Sequence, residues 1–207
     1  FLEFGYYCQY NAKKNLEFSG FFLNQYTELV AQIKEALKTH RKIWLMGVTF
    51  GLLDWIDSGQ DFSFWHEAIK EGRIIVMETG GMKGRREEWI RDRIHTYMME
   101  HMGCKQVASE YGMTELFSQA YSFSDGIFVP AKTMRVLLRE VNDPFSLVKT
   151  PGKVGGIKVI DLANIESCSF VETKDLGSLE EDGIQFKVLG RFDNSEMRGC
   201  SMMVSAP

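Results

Sequence analysis

Apolar and polar positions follow one pattern in the first half of the chain and another in the second half. Residues 27–39 repeat apolar side chains with the period of an amphipathic helix. Residues 42–48 and 73–78 are short and nearly all apolar, which is typical of strands that are buried on both faces. Further helices are predicted at 51–57, 62–70 and 86–101, and a third strand at 105–109. Such alternation of strands and helices predicts a layered α/β sheet with parallel strands.

From Ile127 onward, short strand-like stretches are separated by Gly, Asp and Asn. They are found at 126–130, 133–141, 155–162, 167–173 and 184–190. This pattern predicts an antiparallel sheet or a small barrel. We therefore expect an α/β subdomain over residues 1–120 and a small β subdomain over residues 121–207.

The composition is that of an ordinary globular protein, because 44% of the 207 residues are hydrophobic and 25% are charged. The formal net charge of -4 gives no sign of a nucleic-acid-binding surface. No apolar run approaches the roughly 20 residues that a membrane-spanning helix needs. The four cysteines, Cys8, Cys104, Cys168 and Cys200, are too widely spaced to indicate a disulfide framework or a zinc site. We expect a protein of the reducing cytoplasm, and the sequence leaves open whether it forms a homo-oligomer.

One segment, Ser109–Glu115, combines several groups that a nucleotide site needs and directly follows a predicted strand. It holds an aromatic ring that can stack on a base, a glycine that permits close backbone approach, a hydroxyl and a carboxylate. Ligands of open α/β sheets bind at strand ends, and Mg²⁺ prefers carboxylate and phosphate oxygens. The alternative is a strand–turn–helix corner in which Thr114 or Glu115 caps the next helix.

Three segments in order resemble the motifs of the adenylate-forming superfamily, which includes acyl-CoA synthetases, peptide-synthetase adenylation domains and luciferases. Tyr111–Glu115, Tyr-Gly-Met-Thr-Glu, is similar to the superfamily signature. Residues 173–177, 181–183 and 188–193 resemble a second run of Gly and Asp positions in that superfamily. Thr79–Gly81 resembles its glycine-rich strand end. The resemblance implies the fold class, which is the core of the large domain of an adenylate-forming enzyme.

The resemblance also implies a role for each matched residue. The backbone of Gly80 and Gly81 lies against the adenine, on which Tyr111 stacks. Gly112, Met113 and Thr114 contact the nucleotide, Thr114 at a phosphate, and Glu115 helps to hold Mg²⁺. Asp175 binds the ribose hydroxyls, Arg191 contacts ribose or phosphate, and Asp193 is a hinge residue. The implied cofactors are ATP and Mg²⁺.

The chain departs from the superfamily at two points. It lacks the Ser/Thr/Gly-rich phosphate loop that precedes these motifs, and it lacks the usual C-terminal domain with its catalytic lysine. We expect Phe1 to lie downstream of the phosphate loop in a longer protein.

Residues 79–85 and 190–200 resemble the acyl-protein synthetase (LuxE) family more narrowly. That family forms an acyl-adenylate and then receives the acyl group on a cysteine near its C-terminus, which implies Cys200 as the acyl acceptor. Lys83 and Arg85 are expected to hold the phosphates of ATP or an acidic group of a partner. The alternatives are that Cys200 is a small buried apolar residue and that Lys83 and Arg85 are solvated loop charges.

The function expected from this resemblance is ATP-dependent activation of a fatty or other carboxylic acid, followed by transfer to an enzyme cysteine. A partner protein such as a fatty-acid reductase would then take the acyl group. One alternative is a CoA ligase of the phenylacetate–CoA ligase type, which would use CoA as the acceptor. Another alternative is a degenerate domain that serves as a non-catalytic scaffold.

Overall fold

A computed structural model describes residues 18–82, 85–87 and 89–191. The first half contains the predicted alternation of helices and strands. In chain order its elements are α1 (Tyr26–Leu37), β1 (Ile43–Val48), α2 (Thr49–Asp57), a 3-10 turn (Ser63–Trp65), α3 (His66–Lys70), β2 (Ile74–Thr79), α4 (Arg91–Met102) and β3 (Ala108–Tyr111). None of the helices in this described part of the chain has the length and apolar character that a membrane crossing requires.

The second half is built almost entirely of strands. They are β4 (Ala120–Ser122), β5 (Ile127–Pro130), β6 (Met134–Arg139), β7 (Leu147–Val148), β8 (Val154–Asp161), β9 (Phe170–Leu179) and β10 (Phe186–Arg191), with a 3-10 turn at Leu162–Asn164. β9 and β10 form an antiparallel hairpin whose connection contains Gly183 in the left-handed region, at φ 61°. The Gly183 amide donates to the Glu180 carbonyl at 2.9 Å, so Asp182 and Gly183 complete a four-residue turn within a longer loop rather than a two-residue hairpin turn.

All the described strands belong to one sheet in the order β1-β2-β3-β4-β5-β10-β9-β8-β6-β7. β1, β2 and β3 are parallel to one another, whereas every later pairing is antiparallel. The prediction of a parallel α/β sheet followed by an antiparallel one is confirmed.

Two hydrophobic cores lie along this sheet. The first packs α1, α2 and α4 against β1 and β2, and it contains Trp55 and Trp65, whose rings meet edge to face at 5.8 Å. The second lies under the antiparallel strands and contains Phe128 and Phe186, whose rings stack at 5.5 Å. The division at residue 120 into two subdomains stays a prediction.

The fourth helix begins later than predicted. The apolar period indicated residues 86–101, but α4 starts at Arg91, and Ile90 before it is extended, with ψ 150°. Arg86 instead lies against α2, where its guanidinium pairs with Asp54 at 2.5 Å and with Asp57 at 2.7 Å. These ion pairs hold the turn before α4 away from helical geometry. The predicted stop at Gly103 is confirmed, because this residue has a left-handed φ of 72°.

Three details differ from the sequence analysis. Cys168 lies in the stretch 167–173 that was predicted to be a strand, but it is exposed and β9 begins only at Phe170. No helix follows β3 within residues 112–119, so the strand–turn–helix alternative fails and the next element is β4. The strands β4 and β7 were not predicted, because three and two residues are too short to show an alternating pattern.

Candidate functional site

The carboxyl ends of β2 and β3 meet at one edge of the parallel part of the sheet. Thr79 and Glu110 are paired in the β2–β3 register, and the Thr79 hydroxyl donates a hydrogen bond to the Glu110 carboxylate. Gly80 and Gly81 follow β2, and residues 112–115 follow β3. The two glycine-containing motifs that the sequence singled out are therefore neighbours, at the edge where open α/β sheets bind ligands.

The backbone after β2 allows a ligand to approach it closely. Gly80 has a left-handed φ of 74°, which residues with a Cβ rarely adopt. A Cβ on Gly81 would have no neighbour within 4 Å among the described residues, so its backbone faces open space. The Gly80 carbonyl oxygen packs against the Thr49 hydroxyl at the start of α2, at a distance of 3.3 Å.

Tyr111, Asp175 and Arg191 form the second part of the site. The Tyr111 hydroxyl donates a 2.9 Å hydrogen bond to Oδ2 of Asp175. Arg191 Nε lies 3.7 Å from Oδ1 of the same carboxylate. These residues come from β3, β9 and β10, so three strands combine to hold one carboxylate between a phenol and a guanidinium.

A β-bulge brings Arg191 opposite Asp175. The register between β9 and β10 shifts between Val188 and Gly190, after which Gly190 faces Leu176 and Arg191 faces Asp175. Gly190 has a φ of 154°. The glycine of the predicted Gly-Arg motif is thus part of the irregularity that sets the pairing of the arginine.

The Tyr111 ring is largely covered by the second core. It meets Phe128 and Phe186 edge to face, at 6.0 Å and 5.5 Å, and only 7% of the residue is exposed. Burial, reinforced by the negative charge of Asp175, raises the pKa of Tyr111 far above its ordinary value. The hydroxyl therefore remains a hydrogen-bond donor to Asp175 throughout the physiological pH range.

The remaining residues of the Tyr-Gly-Met-Thr-Glu motif form a turn. The Leu116 amide donates to the Met113 carbonyl at 3.0 Å, and the Met113 side chain packs on the second core. Thr114 and Glu115 are exposed, and the Glu115 carbonyl accepts a 2.8 Å hydrogen bond from the Asn164 amide. A side-chain hydroxyl and a carboxylate are therefore presented to solvent from a backbone that is held in place.

No metal cage is formed by the described residues alone, because no three His, Cys, Asp or Glu side chains within them are grouped as metal ligands would be. This does not conflict with a magnesium ion, which is usually held by one or two carboxylates together with the phosphates of a nucleotide. The exposed Glu115 fits that arrangement.

The basic loop is described only in part. Arg85 is exposed and its guanidinium lies 4.7 Å from the centre of the Phe50 ring, a cation–π contact. Lys83 and Cys200, two of the predicted site residues, lie outside the described residues.

Beneath the two strand ends lies a group of buried polar residues that the sequence analysis missed. We call Thr49, Glu78, Arg91, His95 and Ser109 the Glu78 cluster. Glu78 is only 3% exposed and accepts hydrogen bonds from the Thr49 hydroxyl at 2.6 Å and from the Ser109 hydroxyl at 2.5 Å. Arg91 Nε and His95 Nε2 lie 3.6 Å and 3.5 Å from Oε1 of the same carboxylate. The signal in the sequence was a glutamate at the end of an otherwise apolar strand.

The hydrogen bonds in the Glu78 cluster have a definite direction. Ser109 has one hydroxyl proton and donates it to Glu78, so its oxygen must accept from His95 Nε2 at 3.0 Å. Burial alone would raise the pKa of Glu78, but the nearby His95, the charge of Arg91 and the two hydroxyls together lower it. The carboxylate is therefore ionised. A Ser-His-Glu hydrolase is excluded, because Ser109 is fully buried and donates to the acid rather than to the histidine.

Arg91 connects the Glu78 cluster to the second core. Its guanidinium lies over the Phe128 ring at 4.6 Å, and its Nη1 is buried without a hydrogen-bond partner among the described residues. Burial lowers the pKa of Arg91, and the negative charges of Glu78, Asp92 and Asp175 oppose that shift. Arg91 therefore lies between the Glu78 carboxylate and the Tyr111–Asp175 pair.

Solved structures share this fold. The ATP-bound structure of MatB from Rhodopseudomonas palustris is 16% identical, with a TM-score of 0.53 over 78% of this chain and 33% of that one. IdnL1 is 14% identical, with a TM-score of 0.54 over 84% of this chain and 39% of that one. CmiS6 is 12% identical, with a TM-score of 0.52 over 83% of this chain and 46% of that one. The chain thus has the core fold of the adenylate-forming enzymes.

The sequence itself gives a narrower assignment. Residues 16–206 match the family described as acyl-protein synthetase, LuxE. Because this match covers nearly the whole chain, the protein belongs to the LuxE acyl-protein synthetase family. The chain spans about a third of the length of the MatB structure. No curated protein sequence matches it.

Proposed function

We propose that this chain carries the nucleotide-binding part of an enzyme that activates a carboxylic acid as an acyl-adenylate and then transfers the acyl group to its own cysteine. The observation that carries this proposal is the meeting of three matched motifs at one sheet edge. Gly80 and Gly81 lie beside the turn after Tyr111, and Tyr111 is hydrogen-bonded to Asp175, which faces Arg191. Membership of the LuxE family supports the same activity.

In this proposal the adenosine half of ATP lies along the ends of β2 and β3. The backbone of Gly80 and Gly81 borders the adenine, and the exposed part of Tyr111 meets its ring. Asp175 accepts hydrogen bonds from the ribose hydroxyls, and Arg191, whose side chain is 73% exposed, is available to ribose or phosphate. Because Asp175 already accepts from Tyr111 through Oδ2, Oδ1 is the freer oxygen for the ribose.

The phosphates lie toward the turn formed by residues 112–115. The backbone at Gly112 and Met113 and the Thr114 hydroxyl supply hydrogen bonds, and Glu115 holds Mg²⁺, which would offset the phosphate charge when bound. Lys83 and Arg85 add positive charge from the loop after β2. An oxygen of the substrate carboxylate attacks the α-phosphorus of ATP, the bond to the β-phosphate oxygen breaks, and acyl-AMP and pyrophosphate are formed.

The second step needs a thiolate, because a thiol is a weak nucleophile until it is ionised. Among the described cysteines, Cys104 is unsuited, since burial raises its pKa to about 11. Cys168 is exposed, and its carbonyl shares the Asn164 amide with the Glu115 carbonyl, but it lies outside the segments 79–85 and 190–200 that resemble the LuxE family. We therefore keep Cys200 as the acyl acceptor: its thiolate attacks the acyl carbonyl, AMP leaves, and a thioester is formed.

The finer parts of the proposal concern the substrate and the partner. We propose a fatty acid as the substrate, a reductase or a similar protein as the acceptor of the acyl group, and the cytoplasm as the compartment. A reducing compartment would keep the acceptor cysteine as a free thiol.

Intact-mass measurement of the full-length protein tests the proposal. The protein is incubated with ATP, Mg²⁺ and a panel of carboxylic acids, and Cys200→Ser and Cys168→Ser are treated in parallel. We expect an ATP-dependent acyl adduct that hydroxylamine removes, that the Cys168→Ser variant retains and that the Cys200→Ser variant lacks. Pyrophosphate release that requires CoA and leaves no adduct would identify a CoA ligase instead. No ATP binding and no adduct across the panel would indicate a scaffold.

A further inference from the structure

Three members of the Glu78 cluster, Thr49, Glu78 and Ser109, are too deeply buried to touch a bound nucleotide, yet they contact both halves of the candidate site. Thr49 and Ser109 are fully buried and Glu78 is 3% exposed. Substrate and solvent therefore have no direct access to these side chains. Any influence of these three residues on binding must pass through the backbone that they hold.

One arm of the cluster, by which we mean Thr49 and its contacts, reaches the loop after β2. Besides its hydrogen bond to Glu78, the Thr49 hydroxyl lies 3.2 Å from the Thr79 carbonyl and 3.3 Å from the Gly80 carbonyl. Glu78 itself lies two residues before Gly80 in the chain. The single proton of the Thr49 hydroxyl goes to the nearer Glu78 oxygen at 2.6 Å, so the two carbonyl oxygens pack against this hydroxyl without a hydrogen bond from it. Through this bond Glu78 connects the start of α2 to the end of β2, directly before Gly80.

The other arm leads to the end of β3. Ser109 is bound to Glu78 through its hydroxyl and lies two residues before Tyr111 in the same short strand. Alternate residues of a strand lie on the same face, so Ser109 and Tyr111 share one face of β3. Among the described residues, the carboxylate of Glu78 accepts a hydrogen bond from both Thr49 and Ser109.

We propose that Glu78 is a positioning residue for the nucleotide, which fixes Gly80 relative to Tyr111 through the hydroxyls of Thr49 and Ser109. This inference rests on the proposed function, in which Gly80 and Tyr111 border the adenine. It adds residues that belong to none of the three matched motifs.

The charge of Glu78 is essential to this arrangement. An ionised carboxylate has only acceptor oxygens, so both hydroxyls can donate to it at the same time. A glutamine at the same place would turn a donor toward one of the two hydroxyls, which would then have to accept and direct its own proton to another acceptor. Glu78→Gln therefore changes the geometry of the site while it preserves the size of the side chain.

Kinetics of ATP–pyrophosphate exchange test the inference in the full-length protein. We expect Glu78→Gln, Thr49→Val and Ser109→Ala each to raise the KM for ATP by about tenfold, which is the effect expected when a displaced site makes one hydrogen bond fewer to the nucleotide. The KM for the acid and kcat should stay within about twofold, since these residues contact neither the acid nor the reacting atoms. Thr49→Ser keeps the hydroxyl and should restore the wild-type KM for ATP.

Ser122→Ala is the matched control. Ser122 is 1% exposed and its hydroxyl donates to the Ser124 carbonyl at 3.0 Å, so the variant loses one hydrogen bond of a buried serine outside the cluster. Circular dichroism confirms that each variant is folded. If Glu78→Gln does not fold, Thr49→Val and Ser109→Ala still give the answer.

Two results would overturn the inference, and they are distinguishable. If the wild-type protein catalyses exchange but Thr49→Val and Ser109→Ala keep its KM for ATP, the positioning role is wrong and the proposed function stands. If the wild-type protein neither binds ATP by calorimetry nor catalyses exchange with any acid of the panel, the proposed function fails and the inference fails with it.

Discussion

Stability measurements on Glu78 and Arg91 would test whether the charges beneath the site act as a pair. Arg91→Met removes the guanidinium but keeps an apolar stem against Phe128. The two charges lie 3.6 Å apart, and at an effective dielectric constant of about 20 such a pair is worth about 5 kcal/mol. The Arg91 side chain is 22% exposed, so part of this energy is cancelled by the cost of removing the guanidinium from water. We expect Arg91→Met to lower the free energy of unfolding by about 2–4 kcal/mol.

Glu78→Gln should cost a similar amount, because it leaves the buried guanidinium of Arg91 without its counter-charge. The double variant removes both charges together, so its loss should be smaller than the sum of the two single losses by about 2 kcal/mol.

Urea unfolding followed by circular dichroism gives the free energies of unfolding of the wild type, the two single variants and the double variant, which together form a double-mutant cycle. For a chain of this size, the loss in Arg91→Met corresponds to a fall in Tm of about 5–15 °C. Single losses that add up within about 0.5 kcal/mol in the double variant would refute the reasoning, because independent sites behave in that way. Such a result would mean that Arg91 is stabilised by Phe128 and solvent rather than by Glu78.

Three further predictions concern single residues. Tyr111→Phe should lower the free energy of unfolding by about 1–2 kcal/mol, because it removes a donor to the charged Asp175; an unchanged urea midpoint would contradict this hydrogen bond. Gly103→Ala should lower the free energy of unfolding by at least about 1 kcal/mol, since Gly103 has φ 72° and a Cβ there would lie 2.6 Å from Nε2 of His66. A variant that is as stable as the wild type in urea or thermal unfolding would show that the end of α4 is misplaced. At neutral pH, iodoacetamide should modify Cys168 readily, whereas Cys104, with a pKa of about 11, should react only after unfolding. Rapid labelling of both cysteines, measured by peptide mass, would contradict the burial of Cys104.

The elements of the first half were predictable because their signals are local. The apolar period of residues 27–39 identified α1, and the apolar stretches 42–48 and 73–78 identified β1 and β2 within one residue at each end. The start of α4 was not predictable in the same way. It depends on Arg86, whose partners on α2 lie about thirty residues earlier in the chain, and no local pattern reports such a contact.

The candidate site likewise contains features that local signals predict and features that depend on long-range contacts. The sequence placed Gly80 and the turn after Tyr111 at strand ends, and parallel pairing then requires these ends to lie side by side. The hydrogen bond between Tyr111 and Asp175 joins residues that are 64 positions apart, so it becomes visible only in the fold. The Glu78 cluster was missed because an apolar strand with one terminal glutamate does not reveal which partners will satisfy that charge.

The position of the site between the two cores follows from the path of β3 and from Arg91. β3 follows Val107, a residue of the first core, and ends at Tyr111, a residue of the second. Arg91 crosses the same boundary, since it pairs with Glu78 on one side and lies over Phe128 on the other. The loops that the proposal assigns to the nucleotide therefore begin where the packing of the two cores meets. A charge pair with a buried carboxylate at such a boundary favours one relative placement of the two halves, because any shift would leave the Glu78 charge without its partner where it has little access to water.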